Sequence, residues 1–174
     1  MKFAYADPPY LGCGKLYAKN HPEAWRWDEI QTHAALIQEL VDRYPDGWAM
    51  SASSVSLWSI LPMCPAKCRI MAWVKPFAIF KPGVGLAYTW EPVILWGGRK
   101  ITRQQKTVRD HLSCNITLKK GLTGAKPQAF NEWILSALNY EEGDTLDDIF
   151  PGTGSMALAM QKPPLLSATI KEKP

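Results

Sequence analysis

Six short apolar runs, five to seven residues each and closed by proline, glycine or charged residues, limit what this chain can fold into. They are KFAYA (2–6), GWAMSAS (47–53), RIMAWV (69–74), EPVILW (91–96), TLDDIF (145–150) and LLSATI (165–170). Runs of this length are too short for buried helices and read as strands. Helical patterns lie between them. Asp28 stands before a pattern that runs to Arg43, with Ile30, Ala34, Ile37, Leu40 and Val41 three or four apart. Residues 54–62 read as a short helix stopped by Pro62. Lys126-Pro127 opens a helix to about Leu138, with Phe130, Trp133, Ile134, Ala137 and Leu138 on one face. MALAMQ (156–161) begins another after the glycine loop PGTGS (151–155). Strands alternating with helices predict an α/β fold, a mostly parallel sheet flanked by helices. Residues 11–27, rich in Gly, Lys, Pro and aromatics, read as a mobile loop.

A chain of 174 residues fits one domain, 1–174. Hydrophobic residues at 47% and charged residues at 21% exclude a disordered chain and a coiled coil. There is no apolar run of 18 residues and no signal-peptide core, so a cytoplasmic protein without a membrane partner is expected. Four cysteines are too few for a disulfide scaffold. Cys64 and Cys68 lack a matching second pair, and His21, His33 and His111 are scattered, so no metal site is expected. Charge is concentrated. Segment 98–126 holds Arg99, Lys100, Arg103, Lys106, Arg109, Lys119, Lys120 and Lys126 against Asp110 alone, a net +7 on a chain whose total is +4. Such a segment reads as a contact for a polyanion.

Two loops carry chemistry. Asp7-Pro8-Pro9-Tyr10 follows the first run. The prolines remove two N–H donors and leave stiff carbonyl acceptors. Asp7 adds a carboxylate and Tyr10 a flat face, a set that suits a planar amine such as the exocyclic amino group of a nucleobase. Asp148-Ile149-Phe150-Pro151-Gly152-Thr153-Gly154-Ser155 lies between a strand and a helix. Its glycines allow a tight turn and close approach to a ligand. It matches neither the dinucleotide fingerprint nor the phosphate loop. A fixed tetrapeptide occurs by chance in roughly one chain per thousand at this length, so the two loops together carry far more weight than either alone.

Together they resemble the amino-methyltransferases of DNA, which methylate adenine N6 or cytosine N4 with S-adenosylmethionine. ADPPY is similar to that family's catalytic motif [DNS]-P-P-[YFW], and LDDIFPGTGS to its cofactor loop D-x-F-x-G-x-G. Lys126-Pro127 resembles the family's K-P helix start, and RIMAWVKP and WEPVILWGG its intervening strands. The catalytic motif precedes the cofactor loop, the permuted order of the β class. The resemblance implies a Rossmann-like methyltransferase fold, with Asp7 and the Pro8 carbonyl accepting from the target amino group, Pro9 stiffening that loop and Tyr10 stacking on the base. It implies a cofactor pocket of Asp148, Phe150, Gly152, Thr153 and Gly154, with Lys126 and Pro127 beside it and Lys126 near the methionine carboxylate. Segment 98–126 falls in the target-recognition slot, which makes DNA the expected partner; the slot is short, so selectivity is low or a second chain or homodimer supplies it. Asp at the first motif position leans towards adenine N6. A duplex target must be flipped out to reach Asp7.

Family members continue past the cofactor loop with a helix and a strand ending in an acidic residue. Here Pro163-Pro164 interrupts that helix and Glu172 is the acidic candidate, so a sheet truncated at its C-terminal strands is expected. This leaves alternatives open: an inactive methyltransferase-fold protein that binds nucleic acid or a partner chain, or an enzyme for cytosine N4 or RNA adenine N6. Tyr17, Trp25 and Trp27, interleaved with Lys15, Lys19 and Arg26, either close over a flipped base or pack on the core. Glu91 begins a core strand and either orients the catalytic loop or, the simpler reading, is a surface carboxylate at a strand start; Trp73, Trp90, Trp96 and Trp133 read as core.

Overall fold

Strand β1 (Lys2–Ala6) alternates its side chains between two cores. Phe3 and Tyr5 enter one, Ala4 and Ala6 the other. The next strand, β2 (Gly47–Ser51), repeats the pattern: Ala49 joins Phe3, while Trp48 and Met50 join Ala4. A sheet buried on both faces needs apolar residues at every position, which is why these runs read as continuous rather than alternating. The structure, a computed structural model, describes residues 1–19, 21–77, 82–117 and 125–161.

Further strands are β3 (Arg69–Val74), β4 (Trp90–Gly97), β5 (His111–Ser113) and β6 (Thr145–Asp148). Helices are α1 (Ile30–Arg43), α2 (Leu57–Ile60), α3 (Gln128–Leu138) and α4 (Ser155–Met160). Among the described residues the six strands form one sheet, ordered β5-β3-β4-β2-β1-β6. β4 is antiparallel to both of its neighbours, and the other pairings are parallel. α3 and α4 supply Phe130, Ile134, Leu138 and Met156 to one core; α1 and α2 supply Leu36, Ile37, Leu40 and Ile60 to the other. No described helix is long and apolar enough to cross a membrane.

Several sequence expectations are corrected. The helix expected from Asp28 begins at Ile30, because Pro22–Asp28 forms a 3-10 helix of its own and Asp28 is engaged elsewhere. Its carboxylate accepts the Gly14 N–H at 2.8 Å, tying a second 3-10 turn (Gly14–Leu16) to the first. The segment read as a mobile loop is thus folded over much of its length. β5 lies inside the basic segment 98–126, where the sequence pattern predicts no strand. Three residues cannot display a period, and β5 exists through its parallel pairing with β3. Trp90, expected in the core, is exposed at the start of β4. The run 165–170 and Glu172 lie outside the described residues.

Candidate active site

β1 and β6 are parallel neighbours with Tyr5 opposite Asp148, so the loops that follow them leave the sheet side by side at its carboxyl edge. This is where open α/β sheets bind ligands. A cleft of about 1030 Å³ opens there. Asp7 and Pro9 line it from one loop; Asp148, Phe150, Gly152 and Thr153 line it from the other. Tyr17 and Trp27 cover it from the 3-10 turns, and Lys126 and Asn131 close it from the start of α3. The cleft is of the size that takes a nucleoside-containing ligand. The sequence-expected Asp7, Asp148 and Lys126, far apart in the chain, are therefore brought to one cavity. Pro8 is buried, and Pro127 caps α3, its carbonyl accepting the Phe130 N–H. Gly154 turns the chain into α4 at φ +71°, a left-handed conformation that favours glycine. Trp27 packs its ring 5.2 Å from that of Phe150 at the cleft, while Trp25 is exposed.

A charged cluster sits beneath Asp7. Lys126 Nζ lies 2.9 Å from Asp7 Oδ1, 3.1 Å from the Tyr10 hydroxyl and 3.4 Å from Glu91 Oε2. The Tyr10 hydroxyl donates to Glu91 at 2.8 Å, and Lys75 donates to the other Glu91 oxygen at 2.9 Å. Lys126 is 7% exposed and its ammonium stands over the rings of Tyr10, Trp73 and Phe130. Burial alone would lower its pKa, but Asp7 and Glu91 together hold it well above the usual lysine range. Glu91 is held at about 2 although its burial opposes this, because Lys126 and Lys75 flank it. Asp7 is pushed up, chiefly by burial, against the pull of Lys126.

The cleft also holds two orphaned polar atoms. Among the described residues, Asn131 Nδ2 and Asp148 Oδ1 are buried without a hydrogen-bond partner. Both residues line the same cavity. An unpaired buried donor and an unpaired buried acceptor are each costly. Burial raises the Asp148 carboxyl to about 6, with the Phe150 N–H opposing and the Asp7 charge assisting.

Among the described residues, two cations of the basic segment, Arg99 and Lys126, are engaged in separate places within the fold. β4 runs against its neighbours, so it delivers Arg99 to the amino edge of the sheet, roughly 17 Å (five residues of strand) from Asp7. There Arg99 binds both oxygens of Asp144 at 2.6 and 2.7 Å, and its Nε lies 3.3 Å from Glu141. Gln105 bonds Asn139 on the same side. Lys100, Arg103, Lys106 and Arg109 are exposed along this return path, and Lys119 and Lys120 lie outside the described residues. Of the cations summed to +7 in the sequence, Lys126 is internal to the site and Arg99 is paired with Asp144.

Asn131 is the residue that sequence reading missed. For Glu91 the simpler of the two sequence readings, a surface carboxylate, is corrected: it contacts Tyr10 of the catalytic loop and Lys126. It shares the face of β4 with Val93 and Leu95, which pack in the Phe130 core. A charge on the buried face of a core strand is a detectable signal once that face is assigned. Asn131 likewise interrupts the Ile134–Leu138 stripe of α3.

No model of a known protein family matches the chain, and no curated protein matches it. Solved structures do. M1.HpyAVI in complex with S-adenosylmethionine aligns with a TM-score of 0.58 at 19% identity, over 92% of this chain and 76% of that one. A candidate DNA modification methylase from Thermus thermophilus aligns with a TM-score of 0.51 at 17% identity, over 90% and 74%. At such identities the likeness is one of architecture: this chain shares the mixed α/β fold of these two solved structures, here a six-stranded sheet flanked by helices.

Proposed function

We propose that the protein transfers a methyl group from S-adenosylmethionine to the exocyclic amino group of a DNA base, adenine N6 first. The observation that carries this reading is the meeting of the DPPY loop and the glycine loop in one cleft that contains an orphaned donor and an orphaned acceptor. A methionine end carries a carboxylate and an ammonium. Asn131 Nδ2 is suited to the first and Asp148 Oδ1 to the second, so the residues present fit the cofactor. Phe150, Gly152, Thr153 and Gly154 would hold the remainder, as the permuted β-class motif order implies. When bound, S-adenosylmethionine supplies an electrophilic methyl group.

The chain's own residues do the rest. Asp7 and the Pro8 carbonyl would accept hydrogen bonds from the two amino hydrogens, which draws the nitrogen lone pair out of conjugation with the ring, and one of those protons would leave through Asp7 to water once the nitrogen carries the methyl group. Tyr10, anchored through its hydroxyl, presents its ring to the base. Tyr17 and Trp27 exclude water from the cleft. Phosphate contact is proposed for Lys100, Arg103, Lys106, Arg109, Lys119 and Lys120.

The direct experiment is incorporation of labelled methyl groups from S-adenosylmethionine into DNA, followed by nucleoside analysis. N6-methyladenine is the expected product. N4-methylcytosine, or labelling of RNA instead, would move the assignment to a neighbouring substrate; cofactor binding with no labelled nucleoside would overturn it.

A second expected result concerns pH. Asp148 binds an ammonium only when ionised, and its carboxyl stands at about 6. Cofactor affinity should therefore be level above pH 7 and fall as pH drops below about 6, approaching roughly tenfold per unit. Calorimetry between pH 5 and 8 measures this, and Asp148→Asn should bind weakly with a flat profile. A flat wild-type profile would remove Asp148 from the ammonium site.

A further inference from the structure

The catalytic loop is braced from three strands away in chain order. Glu91, the second residue of β4, belongs to neither loop and yet holds both of Asp7's polar neighbours. Its Oε2 accepts the Tyr10 hydroxyl at 2.8 Å and stands 3.4 Å from Lys126 Nζ. Tyr10 has a single hydroxyl proton and lies 3.3 Å from Asp7 Oδ1, so the shorter bond takes that proton to Glu91. Asp7 Oδ1 is left to Lys126 at 2.9 Å.

An ammonium at that oxygen competes with the amino group that the proposed reaction brings to Asp7. A buried cation with one anionic partner is expensive to displace. Lys126 has two. Its distances to Asp7 and Glu91 differ by only 0.5 Å (2.9 against 3.4 Å), so a small shift moves its bond from one carboxylate to the other. Lys75 already bonds the far oxygen of Glu91 and keeps it ionised.

We propose that Glu91 is a positioning residue for methyl transfer, fixing Tyr10 and sharing Lys126 with Asp7 so that the Asp7 carboxylate can be given over to the target amino group. This rests on the function proposed above. It also assigns Lys126 to the acceptor side of the cleft rather than to the methionine carboxylate, which falls to Asn131.

The groups that face Asp7 are Lys126, Glu91 and Tyr10, with Tyr5, Tyr17 and Asp148 further around the cleft. Glu91 raises the Asp7 carboxyl and Lys126 lowers it. Glu91→Gln keeps an acceptor for Tyr10 but removes the charge, so Lys126 settles on Asp7 and the Asp7 carboxyl titrates lower. The acid limb of kcat/KM against pH should move to lower pH, with kcat/KM for DNA at neutral pH falling by about tenfold to a hundredfold. The dissociation constant for S-adenosylmethionine should stay within about twofold. Glu91→Asp, which restores the charge, should recover part of the rate. A residue that merely braced β4 would change the rate without moving the limb.

The measurements are steady-state methyl transfer to DNA at saturating S-adenosylmethionine between pH 4 and 9, and calorimetry of cofactor binding, on both variants. Wild-type kcat/KM in Glu91→Gln, an unmoved acid limb, or loss of cofactor binding in step with the rate would each overturn the proposal. If the wild-type chain itself methylates no base, the function reading fails separately. The charge arrangement is then read from the carbon-13 titration of the Asp7 carboxyl: a lower midpoint in Glu91→Gln upholds it, and an unchanged one overturns it.

Discussion

Asp7→Ala should abolish most methyl transfer while leaving S-adenosylmethionine binding within about threefold of wild type. In the proposed reaction the carboxylate is the charged acceptor for the target amino group, and a charged hydrogen bond is worth about 1.5–3 kcal/mol. One tenfold step in rate is about 1.4 kcal/mol. A fall of about tenfold to a hundredfold is the minimum, and loss of orientation adds to it. The cofactor contacts proposed above lie on Asp148, Asn131 and the glycine loop, away from this side chain. The fold should also survive, because Lys126 keeps Glu91 and Tyr10 as partners when Asp7 is gone. Single-turnover transfer with bound cofactor, beside calorimetry, separates the two effects. Asp7→Ser, a residue the resembled motif allows at this position, should retain part of the rate. Wild-type transfer by Asp7→Ala would reduce the DPPY loop to a proline turn.

The largest effect on stability is expected at Phe130. It is fully buried, with ring centroids 5.1 Å from Trp73, 5.8 Å from Trp133 and 6.0 Å from Tyr5. Phe130→Ala leaves a cavity among three aromatic rings and should cost about 3–5 kcal/mol, a large part of the about 5–15 kcal/mol that holds a typical domain. At about 2–4 °C per kcal/mol for a chain of this size, Tm should drop by roughly 6–20 °C. The comparison is Trp58→Ala, where the ring is 90% exposed and the change should stay within about 0.5 kcal/mol. Calorimetric melting of both variants decides it; a shift below about 3 °C for Phe130→Ala would mean that α3 does not anchor this core.

What was legible in the sequence was whatever is written locally. β1, β3, β4 and α3 emerge from apolar runs and helical spacing, and both loops emerge because their residue types are rare in combination. What was not legible depends on pairings across the chain. β5 is defined by its partner β3, not by its own three residues. Glu91 looks like any strand-end carboxylate until β4 is known to lie between β2 and β3 with that face against Phe130. The net +7 of the basic segment is a one-dimensional sum, and the reversed direction of β4 sends Arg99 to the opposite edge from Asp7. Asn131 was hidden because an asparagine near the start of a helix has an ordinary explanation as a surface residue.

The adjacency of β1 and β6 has a consequence for how the protein is made. Lys2 pairs with Thr145, so β1 leaves the ribosome well before β6, with which it pairs, and must wait for it. At about 5–20 residues per second, that wait is roughly 7–30 s. Through it the β6 side of Phe3–Ala6 is a bare apolar edge, open to pairing with other chains. The cleft cannot form in any shorter nascent chain, so ligand capture during synthesis cannot rescue early intermediates. Production at lower temperature, or with chaperones that cover exposed strands, should raise the soluble yield more than added cofactor does.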